Sequence, residues 1–144
     1  MSKIADIDIS VVKGFVICKE SGEYIFDWMI ESELNPILLS SYVGALSLFG
    51  IDHLNQIDEI IIKGPETEMI VVNGHHLVLI TILEKDFSSN YDFKEQSEEI
   101  LDNFYETFED QIEQAVDTTP FEAFKETLRD HIESFLKSIQ NQKD

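Results

Sequence analysis

Apolar and polar positions along this chain follow two different periods, and the change of period divides it into a strand-rich first part and a helical last part. Between residues 8 and 18 the apolar residues are consecutive, at Val11-Val12 and Phe15-Val16-Ile17-Cys18. A strand apolar at neighbouring positions is covered on both faces, as in the middle of a layered sheet. Lys19-Glu20-Ser21-Gly22 reads as a turn, and residues 23–30 as a second strand carrying Tyr24, Phe26 and Trp28. The two predict a hairpin. A helix follows, with Asn35 as its N-cap, Pro36 at its first position and Gly50 as its C-cap. Three strands come next, over residues 57–63, 67–72 and 75–83. Gly64-Pro65 joins the first to the second. Asn73-Gly74, the favoured pair for a two-residue hairpin turn, joins the second to the third. The three predict an antiparallel meander.

Helical spacing takes over in the last part. Phe93, Ile100, Leu101, Phe104, Phe108 and Ile112 form one apolar stripe, with acids filling the opposite side. Thr118-Thr119-Pro120 interrupts it. Thr119 and Glu122 have the spacing of a capping box, and Pro120 again takes a first helical position. Phe121, Phe124, Leu128, Ile132, Phe135 and Ile139 make the second stripe. The predicted order is ββαβββαα.

This order resembles that of the longin domain and of the related roadblock domain. The segment Val12-Lys13-Gly14-Phe15-Val16-Ile17-Cys18-Lys19-Glu20-Ser21-Gly22-Glu23-Tyr24-Ile25 is similar to their opening hairpin, an apolar strand and then a short polar turn with Gly. The resemblance implies an α+β, three-layer α/β/α domain over residues 1–144. Its five-stranded antiparallel sheet would carry one helix on one face and two C-terminal helices on the other. It further implies a non-enzymatic module that binds other proteins, as a dimerising platform or regulator for small GTPases or as a vesicle-trafficking subunit. Roadblock domains usually begin with a helix before the first strand and end with one helix. Residues 1–7 are too few for the former and this chain has two of the latter, so the pattern favours longin. These families have no catalytic signature, and no functional residue transfers individually.

Composition narrows the partners. The 144 residues hold 29 acids against 10 basic residues, a net charge of −19. That length suits one domain. A surface so acidic repels phosphate backbones and anionic lipid headgroups, which excludes nucleic acid and electrostatic membrane docking as first expectations. Ten Phe, four Tyr and many aliphatics are enough to build a core, against disorder. Cys18 is the only cysteine, so no intramolecular disulfide forms. The opening Met1-Ser2-Lys3-Ile4-Ala5-Asp6 has no apolar run of the secretory kind, and the expected location is cytoplasmic.

The candidates for chemistry are few. His75-His76 on a strand would point to opposite faces, too divergent for one metal ion. His53 and His131 stand apart in sequence, and no HExxH or Cys/His spacing occurs. Cys18 at the end of an apolar strand reads as a small buried hydrophobe, and no phosphate-cradling loop or nucleophile elbow is present. The acids between Asp92 and Glu113 lack the central Gly and alternation of a calcium loop and read as the wet side of a helix, or as a docking field for a basic partner. The expectation is no catalysis, no metal and no cofactor.

The helix after the first hairpin is the most informative segment. Residues 34–51 hold no charge at all, a length approaching a membrane span. Asn35, Pro36, three serines and two glycines within it argue against spanning. A helix that only covers a sheet shows charges on its outer side. One without any is either buried all round or meets a partner. With one helix alone on its sheet face, as the resemblance implies, the outer side has no intramolecular cover. Leu38, Tyr42, Val43 and Leu46 are therefore the expected contact residues, with Ser40, Ser41, Gly44 and Ser47 allowing close approach of another backbone. The partner would be a second copy, a related domain or a small GTPase. Two other readings remain: a ligand-binding domain or small enzyme with a pocket between sheet and helices, and an acidic inhibitor occupying a basic groove.

Overall fold

The structure, a computed structural model, describes residues 11–30, 34–54, 59–87, 93–114 and 119–143, without the side chains of 47–54 and 140–143. Strands β1 (Val12–Lys19) and β2 (Tyr24–Met29) precede helix α1 (Pro36–Leu54). Strands β3 (Glu59–Lys63), β4 (Thr67–Gly74) and β5 (Leu77–Glu84) follow. Helix α2 (Lys94–Glu113), a 3-10 turn (Thr119–Ala123) and helix α3 (Phe124–Lys143) complete the chain. All neighbouring strands are antiparallel, in the order β2-β1-β5-β4-β3. The fold is α+β with a five-stranded sheet between helical layers, as the ββαβββαα pattern predicts.

The two faces of the sheet are covered separately. Phe15, Ile17, Phe26, Ile70, Val72, Leu79 and Leu83 share one core with Phe93, Ile100, Leu101, Phe104, Phe108, Phe121, Phe124 and Leu128 of the C-terminal helical layer. Val16, Cys18, Val71, Val78 and Ile80 face the other way and share a smaller core with Val43 of α1. Both predicted helical stripes are buried apart from Phe135, which is half-buried and packs edge-on against Phe93 at 5.3 Å. Helix α2 kinks at Phe108, whose φ of −122° and ψ of 21° leave the helical region. Thr119–Ala123 forms a 3-10 turn, so the regular helix begins at Phe124, later than the capping signal predicts.

Two further boundaries depart from expectation. The turn predicted at Asn73-Gly74 lies two residues on, at His75-His76, with β4 and β5 pairing Gly74 to Leu77. Both histidines have positive φ, 55° and 61°, as a primed two-residue turn requires. A turn at 73–74 would have set Val72 beside His75 and Val71 beside His76, within the buried part of the sheet. The observed register sets Val72 beside Leu79 and Val71 beside Ile80, all buried. Burying apolar pairs outweighs the turn preference of Asn-Gly. Side chains hold the turn: His75 Nε2 lies 2.6 Å from Asp102 Oδ1, its ring stacks on Tyr105 at 4.4 Å, and His76 Nδ1 lies 3.1 Å from Glu20.

Second, α1 runs through Gly50 to Leu54. A glycine inside a helix costs only about 1 kcal/mol and does not stop it. Along β2, Tyr24, Phe26 and Trp28 do not share a face. A register shift between Ile17 and Cys18 places Tyr24 opposite Cys18 on the α1 side, while Phe26 and Trp28 stay opposite Ile17 and Phe15. The predicted strand residues 8–10 and 57–58 lie outside the described residues.

Candidate protein interface

Helix α1 starts as predicted. Asn35 Oδ1 accepts hydrogen bonds from the Ile37 and Leu38 N–H groups at 3.0 and 3.2 Å, satisfying two donors of the first turn. Its inner side then settles on β1 and β2. Val43 is fully buried among Val16, Cys18, Val71, Val78 and Ile80, with Leu39 half-buried at its edge. Ser40 is buried and donates to the Pro36 carbonyl at 2.7 Å.

Gly44 has a different role from the one expected of it. A Cβ placed there would stand 2.3 Å from Gly22 Cα and 2.6 Å from Gly22 N. Gly22 itself has a φ of +95°, in the region that glycine favours. The close backbone approach at Gly44 is thus made by the β1–β2 turn of the same chain. Two glycines let the helix lie directly on that turn.

The outer side of the helix is apolar and open. Leu38 is 68% exposed, Tyr42 61%, Ile37 61% and Leu34 45%. Of the four residues singled out in the sequence, Leu38 and Tyr42 lie on this open side. Leu46 is half-buried, and Val43 points into the sheet, where no partner reaches it. Leu34 and Ile37 belong to the surface but carry no signal of their own in the sequence, because residues 34–51 carry no charge to mark one side from another.

A second feature lies on the sheet edge. Strand β3 is the last of the sheet, and among the described residues no strand pairs with its outer side. Its sequence is Glu59-Ile60-Ile61-Ile62-Lys63. Ile60 and Ile62 sit opposite Val71 and Met69 on the α1 side, and both are half-buried. Ile61 lies on the other face and is 45% exposed. An open, aliphatic edge with a charge at each end is a template for another strand.

The lone thiol is enclosed, and the Tyr24 phenol is half-buried. Burial pushes the Cys18 thiol up to about 11, with the neighbouring Ser40 hydroxyl pulling the other way. Burial, reinforced by its hydrogen bond to the Asp27 carboxylate, also raises the Tyr24 phenol. Among the described residues no group of three His, Cys, Asp or Glu side chains is placed to hold a metal ion. No described helix is long and apolar enough to cross a membrane.

No protein-family model and no curated protein sequence matches the chain. Solved structures align with part of the chain. A Roadblock/LC7 domain from Streptomyces avermitilis aligns with a TM-score of 0.43 and 13% identity, over 52% of this chain and 68% of that one. The gliding protein MglB from Thermus thermophilus aligns with a TM-score of 0.46 and 13% identity, over 53% of this chain and 64% of its own length. Myxococcus xanthus MglB aligns with a TM-score of 0.46 and 14% identity, over 58% and 74%. The alignment thus spans less than two thirds of the Thermus protein. The strand order, with one helix on one face and the C-terminal helices on the other, is the arrangement expected from the ββαβββαα order.

Proposed function

We propose that this chain is a single-domain, non-enzymatic interaction module that pairs with a second copy of itself or a related domain through the outer side of α1 and the free edge of β3. The observation that carries the reading is the open apolar side of α1. In a chain of net charge −19, no charge falls on residues 34–51, and four large apolar side chains there stand 45% to 68% exposed. Contiguous apolar exposure of this kind favours a protein contact.

The edge of β3 suits a second copy. Two such strands, antiparallel and centred on Ile61, bring Glu59 of one opposite Lys63 of the other at both ends. Ile60 then meets Ile62 on the α1 side. Opposite charges and aliphatic residues facing across strands are the pairs that stabilise a sheet. The resemblance to longin and roadblock domains adds the class of a further partner, a small GTPase or a trafficking-complex subunit, and a cytoplasmic setting.

Light scattering tests the pairing. The purified chain runs at twice its 16.6 kDa, and Leu38→Asp with Tyr42→Asp converts it to a folded monomer. Glu59→Lys alone weakens the dimer, and adding Lys63→Glu restores it. A wild-type chain that stays at 16.6 kDa up to millimolar concentration overturns self-association.

A further inference from the structure

A groove of about 570 Å³ runs between α2 and α3, on the opposite side of the sheet from α1. One flank of α2 lines it with Gln96, Glu99 and Asn103, and α3 with Asp130, His131 and Phe135. His131 Nε2 donates to Gln96 Oε1 at 2.8 Å, tying the two walls together. Burial holds this imidazole below its usual pKa against the pull of Glu99, so the ring adds no positive charge at neutral pH. Phe135 is half-buried, held edge-on by Phe93.

What lines the groove is therefore acidic, with two carboxylates among amide and hydroxyl groups beside an aromatic ring. No Lys or Arg contributes to it. The cations that precede Asp130 on α3 are engaged elsewhere, Lys125 with Glu122 at 2.8 Å and Arg129 with Glu133 at 3.4 Å. Anions are excluded by this chemistry. An ammonium would satisfy the charge through one compact head with three donors. A guanidinium has five donors in one plane for carboxylate and amide oxygens, and a flat face to lay on an aromatic ring. The volume exceeds one side chain, and the lining extends over about two turns of α2 and about three of α3, which suits a length of polypeptide.

From this lining we infer that the α2–α3 groove receives an arginine side chain from a segment of a partner protein. The site is separate from the α1 and β3 surface, and its occupancy does not depend on pairing there.

The test uses the full chain, isotope-labelled, titrated by NMR with a blocked alanine-rich dodecapeptide carrying one central arginine. The same peptide with lysine or citrulline, and free L-arginine, serve as comparisons. Saturable shifts centred on residues 96–103 and 127–138 are expected, with lysine weaker than arginine and citrulline silent. Glu99→Gln and Asp130→Asn each weaken binding about fivefold, the upper range for an exposed ion pair. Glu109→Gln, on α2 outside the groove, leaves it unchanged. Three results overturn the proposal: shifts spread over both acidic helices with Glu109→Gln as damaging as Glu99→Gln, lysine equal to arginine, or no saturation. Free L-arginine binding as tightly as the peptide overturns the partner segment.

Discussion

On one face of the sheet, eight buried phenylalanines lie beneath helices whose outer sides carry acids. On the other, a thin core of Val16, Cys18, Val43, Val71, Val78 and Ile80 lies beneath a helix that carries no charge from Pro36 to Ile51. The first layer is completed for water: apolar stripe inside, carboxylates outside, which is the ordinary amphipathic arrangement. The second has its inner side seated and its outer side left apolar. Where charge is plentiful, its absence from residues 34–51 distinguishes a layer whose outer side is acidic from one whose outer side is proposed to meet a partner.

The sharpest way to break this contrast is to remove its largest element. Phe104 is fully buried, with the rings of Phe26, Phe108, Phe121 and Phe124 at 5.0 to 6.0 Å. Phe104→Ala should cost about 3–5 kcal/mol in chemical denaturation, the range for a buried Phe that leaves a cavity. A loss below about 1 kcal/mol, the scale of an ordinary surface change, would show that the aromatic side does not dominate stability.

The thin side depends on backbone fit more than on volume. Gly44→Ala forces a methyl group to 2.3 Å from Gly22 Cα, and Gly22 at φ +95° sits in a tight turn. The expected cost is about 3 kcal/mol, the upper range of overpacking, because the obstacle is backbone. An unchanged melting midpoint would mean that α1 shifts on its seat without penalty.

Much of this was readable from the chain, and the failures have physical causes. The element order and both aromatic stripes follow from periodicity, since Phe104 and Leu128 are marked as inward by acids on the other side of their helices. Helix α1 has no such marker. Its rotation cannot be read from charge, so the sequence groups the buried Val43 with the exposed Leu38 and Tyr42 as expected contact residues and leaves out the exposed Ile37. The β1 register shift that separates Tyr24 from Phe26 leaves no trace in alternation. The edge position of β3 follows only once β5 is known to pair with β1, a long-range choice that local pattern does not encode. The displaced hairpin turn belongs to the same class, because burial along β5 decided it.

Cys18 offers a probe of the thin core through pH. Its thiol is raised from 9.0 to about 11 by burial, so the folded state holds its proton where the unfolded state releases it. That contribution is complete below pH 9 and is lost as pH rises through about 11. Each unit within the window removes about 1.4 kcal/mol at most. Cys18→Ala should flatten the alkaline fall in stability, leaving the fall due to Tyr24, which is raised for the same reason. Parallel stability–pH curves for the two proteins would show that the thiol is not shielded.

The smallest effect expected lies within the aromatic side. Thr81 is fully buried in β5, opposite Phe15 on one neighbour and Ile70 on the other, so it faces the phenylalanine-rich core. Its Oγ1 finds no hydrogen-bond partner among the described residues. A hydroxyl buried without a partner costs about 1–3 kcal/mol, and valine replaces it with a methyl group of nearly the same shape. Both residues favour strands, so the backbone is undisturbed. Thr81→Val should therefore raise stability by about 1 kcal/mol in denaturant, widening the difference between the two sides of the sheet. A loss instead would show that the hydroxyl is satisfied in solution, and that the aromatic core contains a polar contact it would otherwise lack.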